Sequence, residues 1–160
     1  MNRRIVVPAV LVAAVIATGV PGTLLYHESL TSAAAEDNRA PAVTAAKARL
    51  ERVLSYRFGT IEGDMVAAKA ATTGEFGQQF ATAADQVITP AARQAEITTT
   101  ATVVSAAVES AGQDSVAILA FVNQTTTTKD KPQPSTTALR LRVTLDRADG
   151  HWLISRLAQV

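Results

Sequence analysis

Apolar residues are distributed along this chain in three regimes. From Ile5 to Tyr26 no charged residue interrupts the run, and Arg3 and Arg4 stand just before it. That length is close to the roughly 20 residues with which a helix crosses the hydrocarbon core of a bilayer. The pattern predicts a membrane anchor over 5–26 and, by the positive-inside tendency, a cytosolic N-terminus at 1–4. Pro8, Gly19, Pro21 and Gly22 are tolerated in such spans. The rival reading is a cleaved leader ending near Ala33-Ala34-Ala35, although the apolar core of a leader is usually about 7–15 residues. Both readings put the rest of the chain outside the cytoplasmic membrane.

The second regime has helical periodicity. Residues 27–38 are mostly small and polar and read as a tether, leaving 39–160 as one exported domain. Asp37 or Asn38 is expected to cap a first helix with Pro41 in its opening turn. Val43, Ala46, Leu50, Val53, Leu54, Phe58 and Ile61 recur at spacings of three and four, as one buried face requires. Gly59 and Gly63 punctuate its end, and Lys47 and Glu51 pair on the opposite side. Asp64 is expected to cap a short second helix reaching about Ala71. Phe76, Phe80, Ala84, Val87 and Ile88 mark a third, closed by Thr89-Pro90, whose proline also suits the start of a further turn.

The third regime is rich in β-branched residues without helical period, over Glu96 to Glu109 and Ser115 to Thr128. Val116 to Val122 is apolar on both faces, as in a central strand. Leu139, Leu141, Val143 and Leu145 alternate with Arg140, Arg142, Thr144 and Asp146, giving one buried and one solvated face. Asp149-Gly150 is a tight-turn pair leading into a last strand, Trp152 to Leu157, with Trp152 expected in the core. Lys129 to Pro134 reads as a hairpin tip or longer loop. Helices followed by strands predict an α+β fold: an N-terminal transmembrane helix, then about three helices packed on a curved four-stranded antiparallel sheet.

Charge and composition remove several function classes. The chain has 15 Lys+Arg against 14 Asp+Glu; with Arg3, Arg4 and Glu28 set aside, the exported part balances. No basic stripe is available for nucleic acid, so none is expected as a partner. Cysteine is absent, which removes thiol catalysis and thiolate metal sites, and the fold must hold without disulfides. Only 4% of residues are aromatic, so the core is built from small side chains that each bury modest area.

Catalytic groups are scarce. His27 lies where an anchor meets lipid headgroups, and His151 follows a turn glycine without a carboxylate to orient it. No metal-ligand spacing, phosphate loop or nucleophile elbow appears, and no catalytic residue, metal or cofactor is expected. The threonine runs 98–100 and 125–128 read as β-propensity on a solvated face, and Asn123-Gln124-Thr125 matches a glycosylation sequon inside a strand. Tyr56, Asp64 and Asp85 are the candidates to line a polar pocket among the helices. Each also has a structural explanation: Tyr56 as a helix residue, Asp64 as a cap and Asp85 on a wet face.

Taken together, several segments carry a resemblance. These are Ser55-Tyr56-Arg57-Phe58-Gly59-Thr60-Ile61-Glu62-Gly63-Asp64, Ala67-Ala68-Lys69-Ala70, Thr73-Gly74-Glu75-Phe76, Thr89-Pro90-Ala91-Ala92, Phe121-Val122-Asn123-Gln124-Thr125-Thr126, Arg142-Val143-Thr144-Leu145 and Asp149-Gly150-His151-Trp152-Leu153-Ile154-Ser155. Behind a single anchor, they make the chain resemble the Mce-associated membrane proteins, accessory subunits of Mce lipid-uptake systems in actinobacterial envelopes. The resemblance implies a cone-like domain similar to nuclear transport factor 2 and ketosteroid isomerase. It also implies a non-catalytic, single-pass subunit whose partners are Mce transporter proteins and, through the anchor, membrane lipid. Phe58 stands where such proteins often carry a hydroxylated aromatic. The alternative is a lipid- or steroid-binding protein or isomerase-like enzyme using a pocket in the cone.

Overall fold

The computed structural model describes residues 33–160. The expected anchor over 5–26, the N-terminus 1–4 and the first part of the tether lie outside the described residues. Among the described residues no helix is long and apolar enough to cross a membrane. Helix α1 covers Ala33–Leu54, α2 covers Ile61–Lys69, α3 covers Gly74–Ala83 and α4 covers Thr89–Ala95. The strands are β1 (Thr98–Ala111), β2 (Ser115–Thr128), β3 (Lys131–Ala148) and β4 (His151–Gln159), in the spatial order β1-β2-β3-β4, all antiparallel. Helices α3 and α4 are joined without a break by one π-helical turn over Ala84–Ile88, so three helical runs face one four-stranded sheet.

Helix α1 starts before the expected cap. Residues 33–38 of the tether are helical, and Asn38 is inside the helix. Its side chain bonds elsewhere: Nδ2 donates to the carbonyls of Gly112 (3.3 Å) and Gln113 (2.9 Å), and Oδ1 accepts from Arg147 Nη2 at 2.8 Å. Pro41 therefore sits past the first turn, where it leaves the carbonyl of Asp37 without its usual helical donor.

The far end of α1 also differs. The expected helical face ran on through Phe58 and Ile61, but the helix stops at Leu54 because residue 56 is recruited by the sheet. Tyr56 exchanges both backbone hydrogen bonds with Thr99 (2.9 and 2.8 Å), an extended pairing that no helix can continue through. Gln124 Nε2 takes the carbonyl of Leu54 at 3.0 Å and satisfies one of the helix's terminal acceptors. As a result Phe58 is 45% exposed in a short 3-10 turn, while Ile61 is buried on α2. Ala46, Leu50, Val53 and Leu54 are buried as expected.

The expected Lys47–Glu51 pair is replaced by a seam along the sheet edge. Glu51 Oε1 accepts the Val103 N–H at 2.9 Å and Ser55 Oγ accepts the Ala101 N–H at 2.8 Å. With the Tyr56 backbone on Thr99, every second residue of β1 from 99 to 103 has its outward donor occupied by the last turn of α1 or the two residues that follow it. An open strand edge is a template for unwanted pairing, and this one is covered.

In the third helical run Phe80, Ala84 and Ile88 are buried, but Val87 is 41% exposed. Thr89-Pro90 does not close the run. Pro90 has no N–H for the carbonyl four residues back, and the Thr89 N–H reaches five residues back to Ala84. This wide turn rotates the face by about one residue and turns Val87 outward. Pro90 then opens α4, as expected of a proline in a first turn. Glu96, at φ 51°, ends α4 in the left-handed conformation.

The sheet's inner face carries Ala101 and Val103 from β1, Val116, Ile118, Ala120 and Val122 from β2, Leu141, Val143 and Leu145 from β3, and Trp152, Ile154 and Leu157 from β4, all buried. Trp152 is 6% exposed, a core residue as expected. Alanines 42, 46, 68, 84 and 92 are fully buried on the helical runs and let them approach the sheet closely. Asp149 and Gly150, at φ 50° and 77°, form the predicted two-residue turn. The β2–β3 hairpin is tighter than expected: Lys129-Asp130 makes the turn and β3 begins at Lys131. Pro132 and Pro134 therefore lie in the strand, beyond the reach of β4, whose pairing with β3 starts at Leu141. Prolines suit such a free edge because they offer no donor to a passing strand.

Candidate functional site

Where α1, α2 and the start of β1 converge, the surface opens into a cleft of about 550 Å³. Glu51, Arg52, Tyr56, Arg57, Asp64 and Thr100 are among its walls. Two of the three residues singled out from sequence, Tyr56 and Asp64, meet here. Asp85 does not: it lies on the π-helical turn, exposed, with its Oδ1 held by Lys69 Nζ at 2.6 Å.

Tyr56 is 4% exposed, and the sheet bridge that fixes its backbone also fixes its ring against the core. Burial raises its phenol pKa to about 12, since the phenolate would lose its hydration. Among the described residues its hydroxyl has no hydrogen-bond partner. Tyr56 lines the cleft, and at neutral pH its phenol stays protonated and is not a base.

Asp64 is not the N-cap of α2; Thr60 occupies that position without a side-chain cap bond. The Asp64 carboxylate lies in the first turn of α2 and reaches back over the loop. Its Oδ2 accepts the Arg57 N–H at 2.9 Å and the Thr60 hydroxyl at 2.8 Å. A carboxylate at a helix start is favoured by the local dipole, and here it also fastens the 3-10 turn. Glu51 is engaged in the same way by Val103. Both carboxylates of the cleft thus hold backbone or loop donors in place.

The arginines are differently placed. Arg52 and Arg57 are exposed on the walls, and among the described residues neither guanidinium has an ion pair or hydrogen bond. Arg49, one turn before Arg52, has its Nε buried without a partner. Burial and the charge of Arg52 both depress its pKa. Sequence reasoning sought carboxylates and phenols and passed over these arginines, of which Arg49 and Arg52 are spaced by three on α1 while Arg57 follows the helix. Among the described residues no group of His, Cys, Asp and Glu could hold a metal ion. His151 is exposed at the start of β4.

With this geometry in place, the relatives can be compared. The family model described as "Uncharacterized protein Rv1363c/MT1408-like" matches residues 3–160. The chain belongs to this family. Two Mycobacterium tuberculosis proteins are similar to it along most of its length. Uncharacterized protein Rv1362c is 36% identical over 96% of this chain and 71% of its own. Outer membrane protein Rv1973 is 39% identical over 76% of each chain. Among solved structures, an IcmL-like type IV secretion system protein from Legionella pneumophila superposes with a TM-score of 0.64 at 8% identity, covering 76% of this chain and 91% of that one. The periplasmic domain of DotI gives 0.63 at 12% identity over 84% and 99%. A nuclear transport factor 2-like superfamily protein from Salmonella enterica serovar Typhimurium gives 0.55 at 12% identity over 76% and 91%. At such identities the likeness is one of fold. This Rv1363c/MT1408-like chain has a nuclear transport factor 2-like α+β fold, three helical runs on a four-stranded antiparallel sheet.

Proposed function

We propose that this protein is a non-catalytic accessory subunit of the cell envelope, held in the cytoplasmic membrane by residues 5–26 with its C-terminal domain outside, and that it stabilises or positions an Mce-type lipid-uptake transporter. The observation that carries the non-catalytic part is the engagement of the carboxylates. Asp64 holds Arg57 and Thr60, Glu51 holds Val103, and Asp85 is paired with Lys69. A general base must be within reach of a substrate proton and free to take it; these three serve the fold. The buried phenol of Tyr56, with its raised pKa, stays protonated at neutral pH. The envelope part is supported by the apolar run behind Arg3 and Arg4 and by a relative named as an outer membrane protein. The fold is also that of known periplasmic domains. The transporter part rests on the motif resemblance, which runs from Ser55 to the Asp149-Gly150-His151-Trp152 hairpin.

Removal of the whole protein from its host is expected to lower the steady-state level of Mce subunits, because an unassembled partner loses the stabilisation that binding gives it. Tyr56→Phe, Asp64→Asn and Asp85→Asn, made singly, are expected to leave lipid uptake near normal wherever the protein still folds. Uptake abolished by one of them, at unchanged protein level and melting temperature, would replace this reading with a lipid- or steroid-handling enzyme.

A further inference from the structure

The cleft between α1, α2 and β1 has a chemistry that the accessory role does not use. Its charged groups are Glu51, Arg52, Arg57 and Asp64, with Tyr56 as the remaining titratable group, and Arg49 lies one helical turn before Arg52. The two carboxylates already accept hydrogen bonds from Val103, Arg57 and Thr60. The donors on the walls are unspent: the guanidiniums of Arg52 and Arg57 and the hydroxyl of Tyr56 have no partners among the described residues. Ordinarily an exposed arginine near a carboxylate pairs with it. Here Glu51 turns to the sheet edge and Asp64 turns to the loop, so neither arginine is neutralised by a contact ion pair.

We infer that this cleft binds a phosphate group, held by Arg52 and Arg57 with the Tyr56 hydroxyl as an additional donor. Three features favour phosphate. A planar guanidinium matches two phosphate oxygens at once, and two guanidiniums on different elements fit a ligand with several acceptor oxygens. The volume of about 550 Å³ holds far more than a bare ion, so the phosphate would be part of a larger molecule or share the cleft with water. Burial and then the charge of Arg52 depress the Arg49 pKa, and a bound anion would offset that like-charge repulsion. The phosphate can come from a lipid headgroup or from a small soluble compound, and the chemistry of the cleft is the same for both. The site stands whether or not the transporter reading does.

The test uses the full chain in a non-ionic detergent. Three probes are titrated at constant ionic strength while the Thr100 and Arg57 amide resonances are followed: inorganic phosphate, short-chain dihexanoyl phosphatidic acid, and dihexanoylglycerol, which lacks the phosphate. Saturable shifts with phosphatidic acid alone assign the ligand to lipid headgroups. Saturable shifts with inorganic phosphate assign it to soluble phosphates. In either case Arg52→Gln and Arg57→Gln are each expected to weaken binding about tenfold or more, as loss of a charge-assisted hydrogen bond does. Arg140→Gln, on the outer face of the sheet, should leave it unchanged. Arg52→Lys and Arg57→Lys keep the charge and lose the planar fork, so intermediate affinity is expected, and they serve if either glutamine variant fails to fold. The inference is overturned by no saturable shift with either phosphate probe, by equal shifts with dihexanoylglycerol, or by binding that survives the double change Arg52→Gln/Arg57→Gln in a folded protein.

Discussion

At the scale of single residues, Tyr56 concentrates several roles. Its backbone ends α1 by pairing with Thr99, its ring belongs to the core, it lines the cleft, and among the described residues its hydroxyl has no partner. Burial raises its pKa to about 12 from an ordinary value near 10. In the unfolded chain the phenol ionises first as pH rises, so the native state holds the proton over the interval between the two values. The stabilisation is therefore complete below about pH 10 and is lost as pH climbs toward 12, to a total on the order of 2 kcal/mol. Tyr56→Phe should remove this alkaline loss, and denaturant unfolding at pH 9, 10, 11 and 12 measures it. Parallel curves for the two proteins would show that the phenol is no more buried in the fold than in the unfolded chain. The sequence made Tyr56 and Asp64 candidates but misjudged their settings. The spacing Leu50, Leu54, Phe58, Ile61 continues a helical period past the point where the sheet takes over the chain. Local periodicity carries no record of a strand more than forty residues ahead.

At the scale of elements, the seam between α1 and β1 shows what was legible and what was not. The existence of both elements was clear from period and β-branching, as was the tight turn at Asp149-Gly150. Their attachment was not, because Glu51 and Ser55 look like ordinary solvent-facing helix residues until Val103 and Ala101 are brought beside them. The π-helical turn before Pro90 was similarly hidden. A proline marks a break in the hydrogen-bond ladder, but whether a helix ends there or widens by one residue depends on the core it must keep facing. The seam gives a direct expectation. Glu51→Ala leaves the Val103 N–H without its charged acceptor and should cost about 1–2 kcal/mol. Glu51→Gln keeps an acceptor and should cost less. Hydrogen exchange at the Val103 amide should accelerate in the alanine variant and remain close to normal in the glutamine one. Equal protection in all three proteins would mean that the helix end does not guard this strand edge.

At the scale of the whole molecule, one chain of contacts joins elements far apart in sequence. Trp152, at the start of β4, lies on the inner face of the sheet with the Arg147 guanidinium 4.7 Å from its ring centre. Arg147 Nη2 in turn donates to Asn38 of α1, and Asn38 holds the carbonyls of Gly112 and Gln113 in the β1–β2 turn. The Arg147 N–H bonds the Asp114 carbonyl at 2.8 Å, closing the same end of the sheet from the other side. Two residues beyond Trp152, Ile154 exchanges backbone hydrogen bonds with Ala71 and Thr73, which ties the α2–α3 connection to β4. In a core of aliphatic side chains with Tyr56 and Phe80 as its other aromatics, the indole is the largest side chain, and smaller neighbours cannot collapse to fill its place. Trp152→Ala should therefore cost about 3–5 kcal/mol, at the upper end for a buried aromatic. Natural domains are stable by only about 5–15 kcal/mol, so the melting temperature should fall by more than about 10 °C. Arg147→Ala removes the cation–π contact and the bond to Asn38 but little buried volume, and a loss nearer 1 kcal/mol is expected. Circular dichroism in the far and near ultraviolet separates the two. The tryptophan change should lower both transitions together, because β4 joins helices and sheet in one cooperative unit. A far-ultraviolet melt left at its original temperature would show that β4 and the helices are stable without the indole, and that the sheet does not depend on this side chain for its core.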